Sequence, residues 1–208
     1  MSEDLNPQIY LITPQVAELS FYTTTLPLLL DQADISCLRL GLISNDETSI
    51  SKHADALREV GHARDISVVI NDHYRLVEPL GLDGVHRVDG AKSIRDIRAE
   101  LGTEAIVGAH CGVSKHTGMN AGEAGADYIC FGPVIANNLN DGQIAEYETF
   151  HWWSEFVELP VIAEGGLTLS AVEQLAPVAD FFALGEEIWQ AGDDAPALLA
   201  QFSERLNG

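Results

Sequence analysis

Short apolar runs rich in β-branched residues recur along this chain, each followed by a segment of helical length. Ile9-Tyr-Leu-Ile-Thr13 comes first, then a helix-like stretch through Leu30 to Ala33. Ser36-Cys-Leu-Arg-Leu40 precedes a helical pattern around Ile50 to Val60, and Ile66-Ser-Val-Val-Ile70 precedes a short one over Leu76 to Leu80. Gly84-Val-His86, Ala105-Ile-Val-Gly108, Tyr128-Ile-Cys-Phe131, Pro160-Val-Ile-Ala163 and Phe181-Phe-Ala-Leu184 continue the series. Helical patterns follow them at Ile94 to Leu101, at Met119 to Ala124 and at the C-terminal end. Continuous apolar strands alternating with amphipathic helices predict a parallel sheet covered by helices. About eight such units in 208 residues favour a closed (β/α)8 barrel, class α/β, as one domain over residues 1–208.

The charge balance narrows the partners. Eleven Lys and Arg stand against 32 Asp and Glu, a net charge of −21, so the chain has no basic footprint for nucleic acid or an anionic membrane surface. An anionic small molecule must therefore be held locally, by backbone N–H groups, a metal ion or one of the few cations. Cys37, Cys111 and Cys130 lack C-x-x-C spacing and read as reduced, buried thiols. No apolar run reaches membrane-spanning length, and the acidic start Met1-Ser-Glu-Asp is unlike a signal peptide, so a cytoplasmic location is expected.

Polar residues just after barrel strands line the functional face. Here they include Thr13, Asn71-Asp72, His86-Arg87, His110-Cys111, Glu164-Gly165-Gly166 and Gly185-Glu186. Arg39 interrupts an apolar strand, where an unpaired charge is costly, so it is either paired inside the barrel or aimed at a ligand. Asp72 suits a metal ion, an Arg partner or a helix N-cap. His86 and His110 could join it on a transition metal, but local ligand spacing is lacking and core or rim histidines are the plainer reading. A His110–Cys111 nucleophile pair is disfavoured, because adjacent strand residues face opposite ways. The Gly165-Gly166 pair allows close backbone approach, and Thr168 is a good N-cap, which together describe either a phosphate cup or an ordinary strand-to-helix turn. Asp83, Asp127 and Asp180 each stand just ahead of a strand and read as turn residues. Residues 134–147 form the longest segment without periodicity and read as a lid or a surface loop.

The order of Tyr10-Leu-Ile-Thr13, Leu38-Arg39, Ile70-Asn71-Asp72, Asp83-Gly-Val-His86, Gly125-Ala-Asp-Tyr128 with Gly132-Pro133, and Pro160 to Thr168 resembles the thiamine phosphate synthase family, whose superfamily includes a thiazole tautomerase. The likeness runs from about Ile9 to Leu184. It implies a (β/α)8 barrel that couples hydroxymethylpyrimidine diphosphate to thiazole phosphate and releases diphosphate. The C–O bond to diphosphate breaks, a pyrimidine cation forms, and the thiazole nitrogen traps it. By resemblance Arg39 grips diphosphate, Asn71 and Asp72 serve a diphosphate–Mg²⁺ site, and Gly165-Gly166 cradle the thiazole phosphate. His86, His110, Ser114, Glu164 and Gly185 are further candidates for contact with substrate or phosphate. Small phosphorylated thiamine precursors are the expected partners, and a homodimer is carried as an expectation.

The departures from the family pattern are specific. Its strand-two motif Gln-Leu-Arg-x-Lys reads Cys37-Leu38-Arg39-Leu40-Gly41 here. Its second metal aspartate falls at Ala91, with Asp89 as the nearby substitute. Its Lys after Gly-Pro is missing from Ala136 to Asn140, and Lys115 is the candidate replacement in a catalytic role. Glu186-Glu187 stand at the phosphate-binding turn after strand eight, where carboxylates compete with phosphate for the helix dipole. These departures keep open a diverged barrel that binds a thiazole- or pyrimidine-type phosphate in a tautomerase-like, salvage or regulatory role. They also keep open acid–base chemistry by His86, His110 and Glu164, which Glu164 buried against Arg39 would favour.

Overall fold

The computed structural model describes residues 6–135 and 142–207, so much of the 134–147 loop lies outside the described residues. Eight parallel strands close on themselves in chain order, β1 pairing with both β2 and β8. They are β1 Gln8–Ile12, β2 Ile35–Leu40, β3 Ser67–Asn71, β4 Gly84–Arg87, β5 Ile106–His110, β6 Tyr128–Phe131, β7 Val161–Glu164 and β8 Phe181–Leu184. The helices are α1 Phe21–Thr24, α2 Leu26–Leu30, α3 Glu47–His62, α4 Val77–Leu80, α5 Ile94–Leu101, α6 Lys115–Glu123, α7 Tyr147–Phe156, α8 Leu169–Leu175, α9 Glu186–Trp189 and α10 Ala195–Asn207. The (β/α)8 barrel expected from the strand–helix alternation is the fold observed.

Period-two alternation splits the core in two. Leu38, Val68, Val85, Val107, Ile129 and Phe182 point outward into the layer shared with the helices. Tyr10, Cys37, Val69, Tyr128, Cys130, Ile162 and Ala183 fill the barrel itself. Residues on that inner face at the strands' C-terminal ends therefore meet at the mouth of the barrel, and Arg39 and Glu164 are two of them.

Local chemistry sets the helix starts. Asp46, Ser114 and Thr168 accept from the backbone N–H groups of Thr48 (3.0 Å), Thr117 (3.1 Å) and Ala171 (3.1 Å), capping α3, α6 and α8. The first helical region is two short pieces, α1 and α2, rather than one helix running to Ala33. Pro27 lies in the first turn of α2, where its missing N–H costs nothing but prevents continuation from α1.

The three aspartates read as turn residues do more than turn the chain. Asp83 Oδ2 accepts from Val68 N at 2.6 Å, Asp127 Oδ2 from Val107 N at 2.7 Å and Asp180 Oδ2 from Val161 N at 2.8 Å. Each precedes an even-numbered strand and latches the odd-numbered strand before it. At the remaining pair, β1–β2, the Ser36 hydroxyl donates to Ile9 O at 2.9 Å.

Candidate active site

Arg39 is only 4 % exposed, and its charge is met by Glu164, three strands away round the barrel on β7. Nη1 donates to Oε2 at 3.0 Å and Nη2 to Oε1 at 2.6 Å, a two-pronged pair. The Cys130 thiol donates to the same Oε2 at 3.1 Å, and the Arg39 guanidinium lies 5.6 Å from the centre of the Tyr10 ring. Burial by itself would raise the Glu164 pKa, but the Arg39 charge and hydrogen bonds override it and hold the carboxyl well below its usual range. Burial likewise works against the Arg39 cation, and Glu164 more than offsets it. At neutral pH the pair is fully ionic. Of the two roles open to Arg39, pairing inside the barrel is the one the structure displays.

A chain of hydroxyls lies beside this pair. Tyr10 and Tyr128 share a hydrogen bond of 2.8 Å between their hydroxyl oxygens, and Tyr128 continues to His86 Nδ1 at 2.9 Å. Gly108 makes the room, since a Cβ there would lie 2.0 Å from Tyr128 Cζ. His86 is 1 % exposed, and its Nε2 is buried with no hydrogen-bond partner among the described residues. Burial, reinforced by the Arg39 charge, pushes the His86 pKa well down, so the ring is neutral at pH 7. His110, on β5, is also shifted down by burial. One donor atom from each of His86, His110 and Glu164 lies within 4.8 Å of the others, spacing that could hold a metal ion, although Glu164 already has both oxygens on Arg39.

The acidic pair expected to hold Mg²⁺ is arranged differently from that expectation. Arg87, the last residue of β4, stands between Asp72 and Asp89: Nη1 lies 2.8 Å from Asp72 Oδ1 and Nη2 lies 2.8 Å from Asp89 Oδ1. Asp72 holds a left-handed backbone (φ 56°), and its N–H donates to His86 O at 3.0 Å. Asp72 thus takes an Arg partner, one of the three roles its position allowed. Asn71, at the end of β3 beside His86, has an Oδ1 that is buried without a partner among the described residues. Tyr10, Tyr128 and Cys130 are site residues to which the sequence reading gave no site role, and Arg87 was named there only as lining the functional face.

Gly165 and Gly166 have φ of 88° and 74°, backbone that glycine adopts without strain. The segment after β6 folds over them, Val134 N donating to Gly165 O at 2.9 Å. Gly185 closes the neighbouring turn by accepting from Ile188 N at 2.9 Å. Glu187 follows it, and burial raises its pKa to about 7, with the backbone amides of Glu187, Gly185 and Leu167 pulling the other way and the Glu164 charge adding to the rise. Ser114 serves as the α6 cap. Lys115 Nζ stands 5.1 Å from the centre of the Trp152 ring and makes no ion pair with the Arg39–Glu164 group among the described residues. Cys111 faces the outer layer with its pKa raised to about 12 by burial, which leaves it unreactive at neutral pH.

Comparison with known proteins gives a consistent result. The sequence model of the family described as thiamine monophosphate synthase matches residues 9–188. The thiamine-phosphate synthase of Rhodospirillum centenum is 34 % identical over 203 residues, covering 97 % of this chain and 98 % of that protein. That of Hyphomonas neptunium is 35 % identical over 206 residues, covering 94 % and 92 %. Among solved structures, thiamine phosphate pyrophosphorylase from Pyrococcus furiosus superposes with a TM-score of 0.82 at 18 % identity, covering 96 % of this chain and 95 % of that one, which speaks to the fold alone.

Proposed function

The chain belongs to the thiamine monophosphate synthase family, and from that premise we propose that it couples hydroxymethylpyrimidine diphosphate to thiazole phosphate, releasing diphosphate, as a cytoplasmic transferase of thiamine biosynthesis. The supporting observation is the set of uncommitted polar atoms at the barrel mouth. Arg39 Nε on β2, Asn71 Oδ1 on β3, and His86 Nε2 and Arg87 Nε on β4 are all buried without a partner among the described residues. Buried polar groups normally find partners, so such a cluster fits a polar ligand that supplies them.

In this reading the two guanidinium groups do the electrostatic work. Arg39 stabilises charge as it develops on the leaving diphosphate, with Glu164 holding the guanidinium in place and shared with the ligand. His86, kept neutral and fixed by Tyr128, presents Nε2 to substrate. Gly165 and Gly166 let backbone approach the thiazole phosphate. Mg²⁺ brought in on the diphosphate would neutralise part of its charge. Asp72 and Asp89, with Arg87 between them, do not form an open pair of carboxylates for it.

A second reading draws on the Arg39–Glu164 pair itself. A carboxylate that already saturates Arg39 suits a diverged barrel that binds a thiazole phosphate and moves protons, without diphosphate release. Expression in a bacterium lacking its own thiamine-phosphate synthase separates the two. Growth without added thiamine is the expected outcome. Failure to grow with the folded protein present at high level would overturn the synthase reading in favour of the second.

A further inference from the structure

We propose that Arg87 is a built-in counter-ion that closes the Asp72/Asp89 carboxylate pair to divalent cations. The chain thereby carries a covalently attached cation at the rim of the barrel, between the two carboxylates expected to hold a metal. The geometry is that of a bridge. One guanidinium spans both carboxylates, 2.8 Å to Asp72 Oδ1 through Nη1 and 2.8 Å to Asp89 Oδ1 through Nη2. Nη1 also reaches Asp72 O at 3.4 Å, and Val88 N donates to Asp72 Oδ1 at 3.2 Å. Two fixed donors, Arg87 Nη1 and Val88 N, therefore converge on Asp72 Oδ1.

Burial supports the assignment. The Arg87 side chain is 15 % exposed, whereas those of Asp72 and Asp89 are 37 % and 38 % exposed. The cation sits beneath the carboxylates rather than floating above them. A planar guanidinium with two donors aimed at two carboxylates is a matched partner, and its positive charge is what excludes a dication. The group as a whole carries one negative charge, too little to favour a dication that must also sit against a guanidinium.

The sequence pattern agrees with the replacement. Between Gly84-Val-His86 and Asp89 only Arg87 and Val88 intervene, so the second carboxylate is brought back toward Asp72 by the same short turn that places Arg87. Both carboxylates and the cation come from the ends of β3 and β4 and the turn after β4.

The test is a Mn²⁺ titration of the full chain without substrate, read by the electron paramagnetic resonance signal of free Mn²⁺. It does not depend on turnover, so it stands or falls apart from the synthase reading. Wild type should show only weak binding that Asp72→Asn leaves unchanged. Arg87→Leu should bind one Mn²⁺ at least about tenfold more tightly, because a repelling charge is gone and two carboxylates are freed, and adding Asp89→Asn should abolish that gain. Arg87→Lys, which keeps the charge, guards against loss of the fold in the Leu variant and should stay as weak as wild type. Tight Mn²⁺ binding by wild type that Asp72→Asn removes would overturn the proposal. So would a folded Arg87→Leu protein that binds no more tightly than wild type, or an Arg87→Lys protein that gains the tight site.

Discussion

At the scale of single residues, charge inside an apolar strand was the most informative signal. Arg39 stands out because its neighbours Leu38 and Leu40 are apolar, so a charge there needs a reason. Its partner was named only as a condition, Glu164 buried against Arg39, and not from any local pattern. Glu164 is 125 positions away, and only closure of the barrel brings β2 within reach of β7. Tyr10 and Tyr128 look like ordinary strand aromatics, and their hydroxyl chain to His86 depends on register that no local pattern encodes. Arg87 carried a legible hint, one cation directly after His86 with Asp72 and Asp89 on the flanking turns. Glu187 gives a prediction at this scale. Its carboxyl titrates near pH 7 in the folded protein, against about 4.3 in an unfolded chain. Between those values the native state holds the extra proton, so the Glu187 contribution to stability falls as pH rises through that window. Glu187→Gln should therefore match wild type near pH 4 and exceed it at pH 8 by about 3–4 kcal/mol. Urea unfolding across that range measures the difference, and parallel pH curves for the two proteins would refute the assignment.

At the scale of elements, the strands were legible because each is an apolar run ended by polar or glycine residues. The helices were legible where a cap and an amphipathic pattern coincide, as in α3 over Glu47–His62, capped by Asp46. They were misread where proline cuts a hydrophobic stretch, as at Pro27 in the first turn of α2. The aspartates ahead of β4, β6 and β8 show the limit of local reading. Turn chemistry explains Asp in general, but the bonds these residues make run to the preceding strand. Each satisfies a strand N–H that would otherwise be orphaned. Asp127→Ala removes the acceptor for Val107 N and the ion-pair partner of Arg98, and should cost about 1–3 kcal/mol. Guanidinium unfolding of this variant tests the latch, and a loss below about 0.5 kcal/mol would reduce Asp127 to an ordinary surface turn residue.

At the scale of the whole molecule, an acidic chain of net charge −21 is read here as handling anionic substrates. The fold sets two of the scarce cations, Arg39 and Arg87, at inner or rim positions and pairs each with carboxylates. Arg39 and Arg87 are both largely buried, each pinned by carboxylates, at the C-terminal ends of strands where barrel enzymes keep their chemistry. In the proposed reading, cations fixed in place before substrate arrives offset the absent Gln and Lys of the family's strand-two pattern by lowering the reorganisation needed in the transition state. No helix among the described residues is long and apolar enough to cross a membrane. The central claim is that this mouth performs diphosphate-releasing transfer. The direct measurement is thiamine phosphate formation by the purified chain from hydroxymethylpyrimidine diphosphate and thiazole phosphate with Mg²⁺, beside an Arg39→Gln variant verified as folded. Product from wild type and a fall of about a hundredfold or more in the variant is the predicted result. No product from folded wild type, or equal rates in the two proteins, would contradict it.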